Sequence, residues 1–459
     1  MPGTRLIRIL MADLVVQRTG AGLSPRRLSG SALVDSLLGK AGELTTQVLL
    51  ILLLPRVLGP VDYGTFALAL SIVTLGSSSL AIGGPTLMSR FVPAAAPTER
   101  DAVARALLFR VGRWRVIGMA GAGVAAALLV VVVPDRFPAA LTGLIAVALA
   151  LDITATLAFQ IALGMGRTAM WSHRFGVQNA LLVTSALAGH ALGGAKGAVA
   201  GIAVASAVVL VWGWASVGPR LRAARADAQL PPGALRFGTH YAISNGLQML
   251  IHRGAIVAVS LLAASSVQTG FAGLAVGVAL AGIYVVAQVF AVHLPSLVEG
   301  TGDSTIGPGP EEALRKLAAR SLLVVVPLAV VAVVAIEELV PLAVGDRYSG
   351  AEAAIAIALA ALPLAPLTAL ANQVAALRLQ AGARLVTAVA GAIAFLLTAA
   401  LAIPAHQAAG GAAALLAGTA TIALASVAAI PGALNARLAI AGLAGSGAVL
   451  GAGLLTGAI

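Results

Sequence analysis

Residues 31–64 read SALVDSLLGKAGELTTQVLLILLLPRVLGPVDYG, and this stretch decides the class of the chain. It begins as an apolar run long enough to cross a bilayer, which takes about 20 residues. Asp35, Lys40 and Glu43 interrupt it. An ionisable side chain at helix-centre depth costs about 2.5–3.5 kcal/mol on insertion scales. Such residues are therefore rare and face a bundle interior, a partner or a wet cavity. The run breaks at Pro55 and passes into Arg56-Val-Leu-Gly-Pro-Val-Asp-Tyr-Gly64, a stiff, glycine-punctuated turn.

Working outward, the rest of the 459 residues repeats the apolar theme: 59% are hydrophobic, 10% are charged, and the mean hydropathy is +1.00. A soluble domain carries about 25% charged residues. The composition predicts an all-α polytopic membrane protein. The net charge of +12 then reports orientation and contact with anionic lipid, not nucleic acid. The chain has no cysteine, which excludes disulfides, thiolate catalysis and Cys-ligated metals. No metal spacing, nucleotide loop or nucleophile–base pattern stands out, so no metal, cofactor or enzymatic activity is expected. Residues 1–30 hold LIRILMADLVV, too short and too charged for a span, and no small-residue cleavage site follows. They read as an interfacial helix and not as a signal peptide.

Thirteen apolar segments follow, at 31–54, 64–84, 114–133, 138–163, 173–192, 197–217, 239–262, 270–294, 320–343, 351–370, 384–403, 408–430 and 437–458. With a cytoplasmic N-terminus, the outside loops hold only Arg56, Arg136, Lys196 and Arg347. Lys40 and Arg253 lie within spans, and every other basic residue falls on the inside, Arg115, Arg174 and Arg384 among them. That asymmetry follows the positive-inside rule and places the chain in the cytoplasmic membrane with its N-terminus in the cytoplasm. No loop is long enough for an enzymatic domain. Two inside loops, TERDAVARALLFRVGRW and EEALRKLAARSL, read as amphipathic surface helices.

An internal repeat relates the halves. Gly64-Thr-Phe-Ala-Leu-Ala aligns with Gly270-Phe-Ala-Gly-Leu-Ala at an offset of 206. The expected organisation is an N-terminal segment (1–30), a six-span lobe (31–217), a linker (218–238), a second six-span lobe (239–430) and a thirteenth, C-terminal span (431–459). Six spans per half give both halves the same orientation, related by an axis along the membrane normal.

At about 100° per residue, Asp35, Ser36, Gly39, Lys40, Glu43, Thr46 and Gln47 occupy one arc of about 140° on the first span. On the seventh, Tyr241, Asn245, Gln248 and His252 share an arc, with Arg253 at its margin. Two readings follow. One is a buried polar seam, with Lys40 paired to Glu43 within the helix and Arg253 paired to Asp35 or Glu43. The other is a hydrated cavity lined by Asp35, Lys40, Glu43, Gln47, Tyr241, Asn245, Gln248, His252 and Arg253, with cations placed for an anionic substrate. On the fourth span Asp152, Thr156 and Gln160 share a face, and Asp152 is a candidate coupling carboxylate for H+ or Na+.

The turn Arg56–Gly64, followed by Ile82-Gly-Gly-Pro and Ser89-Arg-Phe-Val92, resembles the start of polysaccharide-transporter (Wzx-type) flippases of the multidrug/oligosaccharidyl-lipid/polysaccharide (MOP) superfamily. Gly345-Asp-Arg-Tyr348 is similar to that family's G-x-x-Y element before the tenth span, and Gln373 to Arg384 to its polar turn after it. The second-half counterpart of the first turn lacks the family's tyrosine. The resemblance implies two six-helix lobes that rock around a central cavity and move a polyprenyl-diphosphate-linked saccharide from the inner to the outer leaflet. It implies functional coupling to glycosyltransferases or a polymerase. A multidrug/cation antiporter of the same superfamily and a non-transporting scaffold are the alternatives.

Overall fold

Three long helices carry the folding pattern, and each is broken where the sequence disfavours continued α-geometry. In the computed structural model, residues 30–459 are described except 82–86, 89–90, 94, 97, 226–233, 299–307 and 379. Within helices, the side chains of 30–41, 44, 168, 291–298, 308 and 310 are also outside the described residues. The elements are α1 (Gly30–Ser79), α2 (Arg100–Val132), α3 (Ala139–Gly164), α4 (Thr168–Ala223), α5 (Ala234–Leu262), α6 (Ser266–Val298), α7 (Pro308–Val334), α8 (Ile336–Val344), α9 (Glu352–Leu359), α10 (Ala365–Leu377), α11 (Ala381–Ala429) and α12 (Ala436–Leu455). Short 3-10 turns at Asp346–Tyr348 and Leu362–Leu364 complete the set. The second sits at Pro363 and joins α9 to α10, the kink expected from that proline.

Ten of the described helical stretches are long and apolar enough to cross a membrane. Three of them turn back on themselves, α1 at Gly59 (φ 74°), α4 at Gly193 and Gly194 (φ 57° at the latter) and α11 at Gln407 (φ 52°). Counting each arm once returns the thirteen apolar segments. Pro60 has no N–H to continue α1, and Gly59 and Gly194 adopt a positive φ without a Cβ penalty. Gln407 holds the same geometry as a non-glycine residue, and its side chain is fastened: Ala264 N–H donates to its Oε1 (2.7 Å).

Each half is tied within itself by an acid and an arginine at the start of its third span. In the first, Asp101 accepts from Arg220 (2.9 Å), and Arg105 donates to the Arg222 and Ala224 carbonyls at the end of α4. In the second, Glu311 accepts from Arg378 (2.7 Å), and Arg315 donates to the Gly432 carbonyl just past α11. Arg105 and Arg315 thus each fasten the third span of a half to the end of its sixth, whereas Glu311 holds the end of α10, the fourth span of its half. At the opposite end Asp62 lies 3.6 Å from His190 on α4, and Gln268, its repeat equivalent, accepts from Ala408 N–H on α11 (3.2 Å). The thirteenth segment, α12, packs on α7 and on the Pro363 turn, where Gly442 and Gly445 admit Leu367, Val326 and Pro363.

Contact between the halves runs mainly through α1, which packs on α4 in its own half and on α5 and α6 in the other. At Gly64 and Gly270 the helices meet backbone to backbone. A Cβ on Gly64 would sit 2.8 Å from Gly270 N, and one on Gly270 would sit 2.0 Å from the Pro60 oxygen. One turn on, a Cβ on Gly273 would lie 2.8 Å from that of Ala67. Gly64 and Gly270 are repeat equivalents, and so are Ala67 and Gly273. Residues related by a two-fold axis touch each other only at the axis, so the axis passes between α1 and α6. The constant offset makes the two helices parallel, as six spans per half requires.

The turn Arg56–Gly64, which reads from sequence as the corner of one lobe, is a joint between both. Tyr348 is fully buried and donates to the Pro55 carbonyl (3.3 Å), Arg56 reaches the Leu342 carbonyl (3.5 Å), and Arg347 lies against Gly59. Tyr63 and Phe271 both pack on the Tyr348 ring, at 6.4 and 6.0 Å between centroids. Burial raises the Tyr348 phenol well above its ordinary pKa, so it stays protonated and keeps donating. The Arg56–Gly64 turn and the Gly345–Tyr348 element, nearly 300 residues apart, are two sides of one contact.

Overpacking a tight core site costs about 1–3 kcal/mol, and a backbone neighbour yields less readily than a side chain. Gly270→Ala should therefore lower the melting temperature of the detergent-solubilised protein by several degrees. Gly447→Ala, on α12 with no atom near its would-be Cβ, should leave it unchanged. Equal melting of both variants would contradict the close crossing.

Candidate functional site

The polar residues singled out from the sequence fall into separate places. Asp35 and Lys40 lie outside the residues whose side chains are described. Glu43 and Gln47 are half-buried on the first arm of α1. His252 sets its ring edge-on to Tyr284 of α6, with 6.2 Å between centroids. Arg253, next to it in mid-helix, has its Nε shielded and without a hydrogen-bond partner.

Tyr241, Asn245 and Gln248 do come together, around a residue that the hydropathy pattern assigned to a loop. Arg384, in the first turn of α11, is 4% exposed. Its Nη2 donates to Asn245 Oδ1 (2.6 Å) and Gln248 Oε1 (3.0 Å), and its Nε donates to Asn372 Oδ1 on α10 (2.9 Å). Gln248 Nε2 also donates to Asn372 Oδ1 (3.1 Å), and the guanidinium carbon stands 4.0 Å from the centre of the Tyr241 ring. The cluster joins three helices. It also leads to the first half through aromatic rings: Tyr241 stacks with Phe237, which meets Phe91 edge-on at 6.5 Å. Leu87 seals the same seam against Gly238.

Asp152 anchors a second network, inside the first half. It accepts from Ser77 Oγ on α1 (2.6 Å) and Gln178 Nε2 on α4 (2.8 Å). Gln178 accepts from Arg174 Nε (3.2 Å), whose Nη2 donates to Thr156 Oγ1 (2.6 Å). The Arg174 guanidinium also lies within 5.0–5.9 Å of the Phe159, Trp171 and Phe175 rings. Gln160, which shares the Asp152 face in sequence, instead accepts from Arg115 on α2 (2.9 Å). Arg115 also donates to the Ala81 carbonyl (2.8 Å) and is 3% exposed.

Arg115, Arg174 and Arg384 are thus buried in helices, a correction to their placement with the inside loops. Helices α2, α4 and α11 begin up to 14 residues before the apolar segments read from sequence, as Arg100 does before residue 114, so these arginines sit within helices and not in loops. A window average over long apolar runs does not register one arginine at its edge. The available signal was pairing potential: Asn245, Gln248, Asn372 and Gln373 are neutral polar residues in a chain poor in them.

The two networks differ in charge. Arg174 is linked through Gln178 to the Asp152 carboxylate. Neither arginine is in a described ion pair, and the described partners of Arg384 are neutral oxygens and a ring face. Taking an ion out of water costs several kcal/mol even after relaxation, and a nearby opposite charge offsets part of it.

No protein-family model and no curated protein sequence matches the chain. Among solved structures, its fold is similar to that of the lipid II flippase MurJ in an inward closed conformation, at 10% identity over 92% of this chain and 90% of that one, with a TM-score of 0.64. It is similar to the eukaryotic MATE transporter AtDTX14, at 12% identity over 90% and 96% of the two chains, with a TM-score of 0.54. It is also similar to a MOP-superfamily transporter from Pyrococcus furiosus, described with a binding pocket of reversed polarity, at 13% identity over 91% and 95%, with a TM-score of 0.50.

Asp152 is joined to Arg174 through Gln178, and leaving a buried hydrogen-bonding group unsatisfied costs about 1–3 kcal/mol. Asp152→Asn should therefore destabilise the protein, and adding Arg174→Gln should recover part of the loss. Additive effects in that double-mutant cycle, read by thermal melting, would mean that the two residues are not linked. At these identities the comparisons establish architecture: among the described residues this chain is all-helical, a multi-pass membrane protein whose fold is similar to that of MOP-superfamily transporters.

Proposed function

We propose that this protein is an exporter of the flippase type, which moves a polyprenyl-diphosphate-linked saccharide from the inner to the outer leaflet of the cytoplasmic membrane. The N-terminus is on the cytoplasmic side. The lobes at 31–217 and 239–430, joined by the linker 218–238, rock against each other about the α1–α6 crossing, and the clamps at Asp101 and Glu311 keep each lobe rigid. Residues 431–459 form an accessory span.

The observation that carries this reading is charge: Arg253 and Arg384 are cations within the helix bundle, each with a shielded donor atom that has no acceptor among the described residues. Uncompensated cations beside the seam between the lobes suit an anionic headgroup. Lys40 and Arg253 offset the diphosphate charge as the headgroup enters, while the prenyl tail stays in lipid. Asp35, Glu43, Gln47, Tyr241, Asn245, Gln248 and His252 contact sugar hydroxyls or hold the cations in place. An inside-negative potential favours outward movement of an anion by about 2.3 kcal/mol per charge per 100 mV, so no coupling ion is required energetically. Glycosyltransferases or a polymerase would supply and consume the substrate. A cation antiporter is the second reading. Buried Asp152 favours it, as a carboxylate that could exchange H+ or Na+.

Replacing Lys40 and Arg253 together with Gln should abolish translocation of a fluorescent polyprenyl-diphosphate saccharide in proteoliposomes, with insertion intact. Undiminished translocation would remove the cation role. Uptake of a cationic dye that depends on Asp152 would favour the antiporter.

A further inference from the structure

We infer that Arg384, with Asn245, Gln248 and Asn372, forms an anion site in the second half of the molecule that binds a phosphate-bearing group. The inference rests on the anionic substrate proposed above and names the residue that holds its charge.

Donor accounting comes first. A guanidinium carries five N–H donors. Nε and Nη2 supply three of them, directed at Asn372, Asn245 and Gln248. The two on Nη1 are shielded from solvent and have no acceptor among the described residues. The side chain is held on three sides with its remaining donors unused, a half-filled coordination shell. Arg174 provides the internal comparison. It sits near the start of the equivalent span in the first half, also 4% exposed, and is linked through Gln178 to a carboxylate. The second half supplies no described carboxylate for Arg384 and uses amides instead.

Amides suit a site that must be filled and emptied. An Asn or Gln side chain offers its oxygen to the empty arginine and, after rotating about its last bond, its NH2 to an arriving phosphate. A carboxylate cannot change sign in this way and would compete with the ligand. Arginine meets a phosphate through two parallel N–H bonds. The incoming oxygens would take the Nη1 donors and one Nη2 donor now spent on an amide.

The position fits loading. Tyr241, whose face receives the guanidinium, continues through Phe237 to Phe91 of the first half. This seam is at the end of the bundle opposite Gly59, the inner end in the expected topology. An anion that draws Arg384 off the ring therefore acts on a contact that closes the two halves together.

Pyrophosphate binding to the purified full-length chain in detergent tests the site by calorimetry. Wild type should bind, and Arg384→Gln should bind at least tenfold more weakly. Asn372→Asp is the sharper variant, because it keeps Arg384 and gives it a permanent counter-charge. It should raise the melting temperature while weakening pyrophosphate binding at least tenfold, an opposition that loss of packing would not produce. Pyrophosphate affinity unchanged in Asn372→Asp, or in a folded Arg384→Gln, would overturn the site. In nanodiscs, competition by phosphatidylglycerol over phosphatidylcholine would identify the occupant as a lipid headgroup, and its absence would identify the substrate's diphosphate. Pyrophosphate binding that depends on Arg384, in a protein that translocates no saccharide lipid, supports the site and overturns the flippase reading alone.

Discussion

The fold depends on a crossing at which two helices have no side chains between them. Gly64 and Gly270 let α1 and α6 touch through their backbones, and Ala67 and Gly273 continue the contact one turn on. In lipid there is little hydrophobic drive to bring helices together, so close packing of small residues does that work. The pairs in contact are repeat equivalents, so one local fit also sets the relation of the halves: parallel helices, a shared axis and the same orientation for each set of six spans. The Pro55–Tyr348 joint lies beside this axis and couples the corner of the first half to the turn before α9.

A second constraint is the cost of charge in a low-dielectric interior. The first half meets it by linking Arg174 to Asp152 and by stacking the guanidinium among aromatic rings. The second half meets it with neutral amides and one tyrosine face. The same fold thus carries a closed network on one side and an open one on the other.

Much of the architecture was legible in the residues. Apolar run lengths marked thirteen segments and the 206-residue offset aligned the glycines that meet between α1 and α6, whereas the break read at Pro55 falls at Gly59, because the helix continues through Pro55. Tyr241, Asn245 and Gln248 lie on one side of α5 and meet around Arg384. That partner was not foreseen, because Arg384 stood at the edge of an apolar window and counted as a loop cation. Asp152 and Gln160 share a helix face yet serve different arginines, Arg174 and Arg115, a division that spacing along one helix cannot express.

The sequence by itself determined what the bilayer tests directly: which segments are apolar enough to cross, which face of each is polar, and that two homologous halves follow one another. Tertiary structure alone decided which polar faces meet, and so which charges are compensated. Helical periodicity orients a side chain around its own axis, but its electrostatic state depends on a neighbour set by helix crossing. For Arg384 and Asn245 that neighbour is 139 residues away.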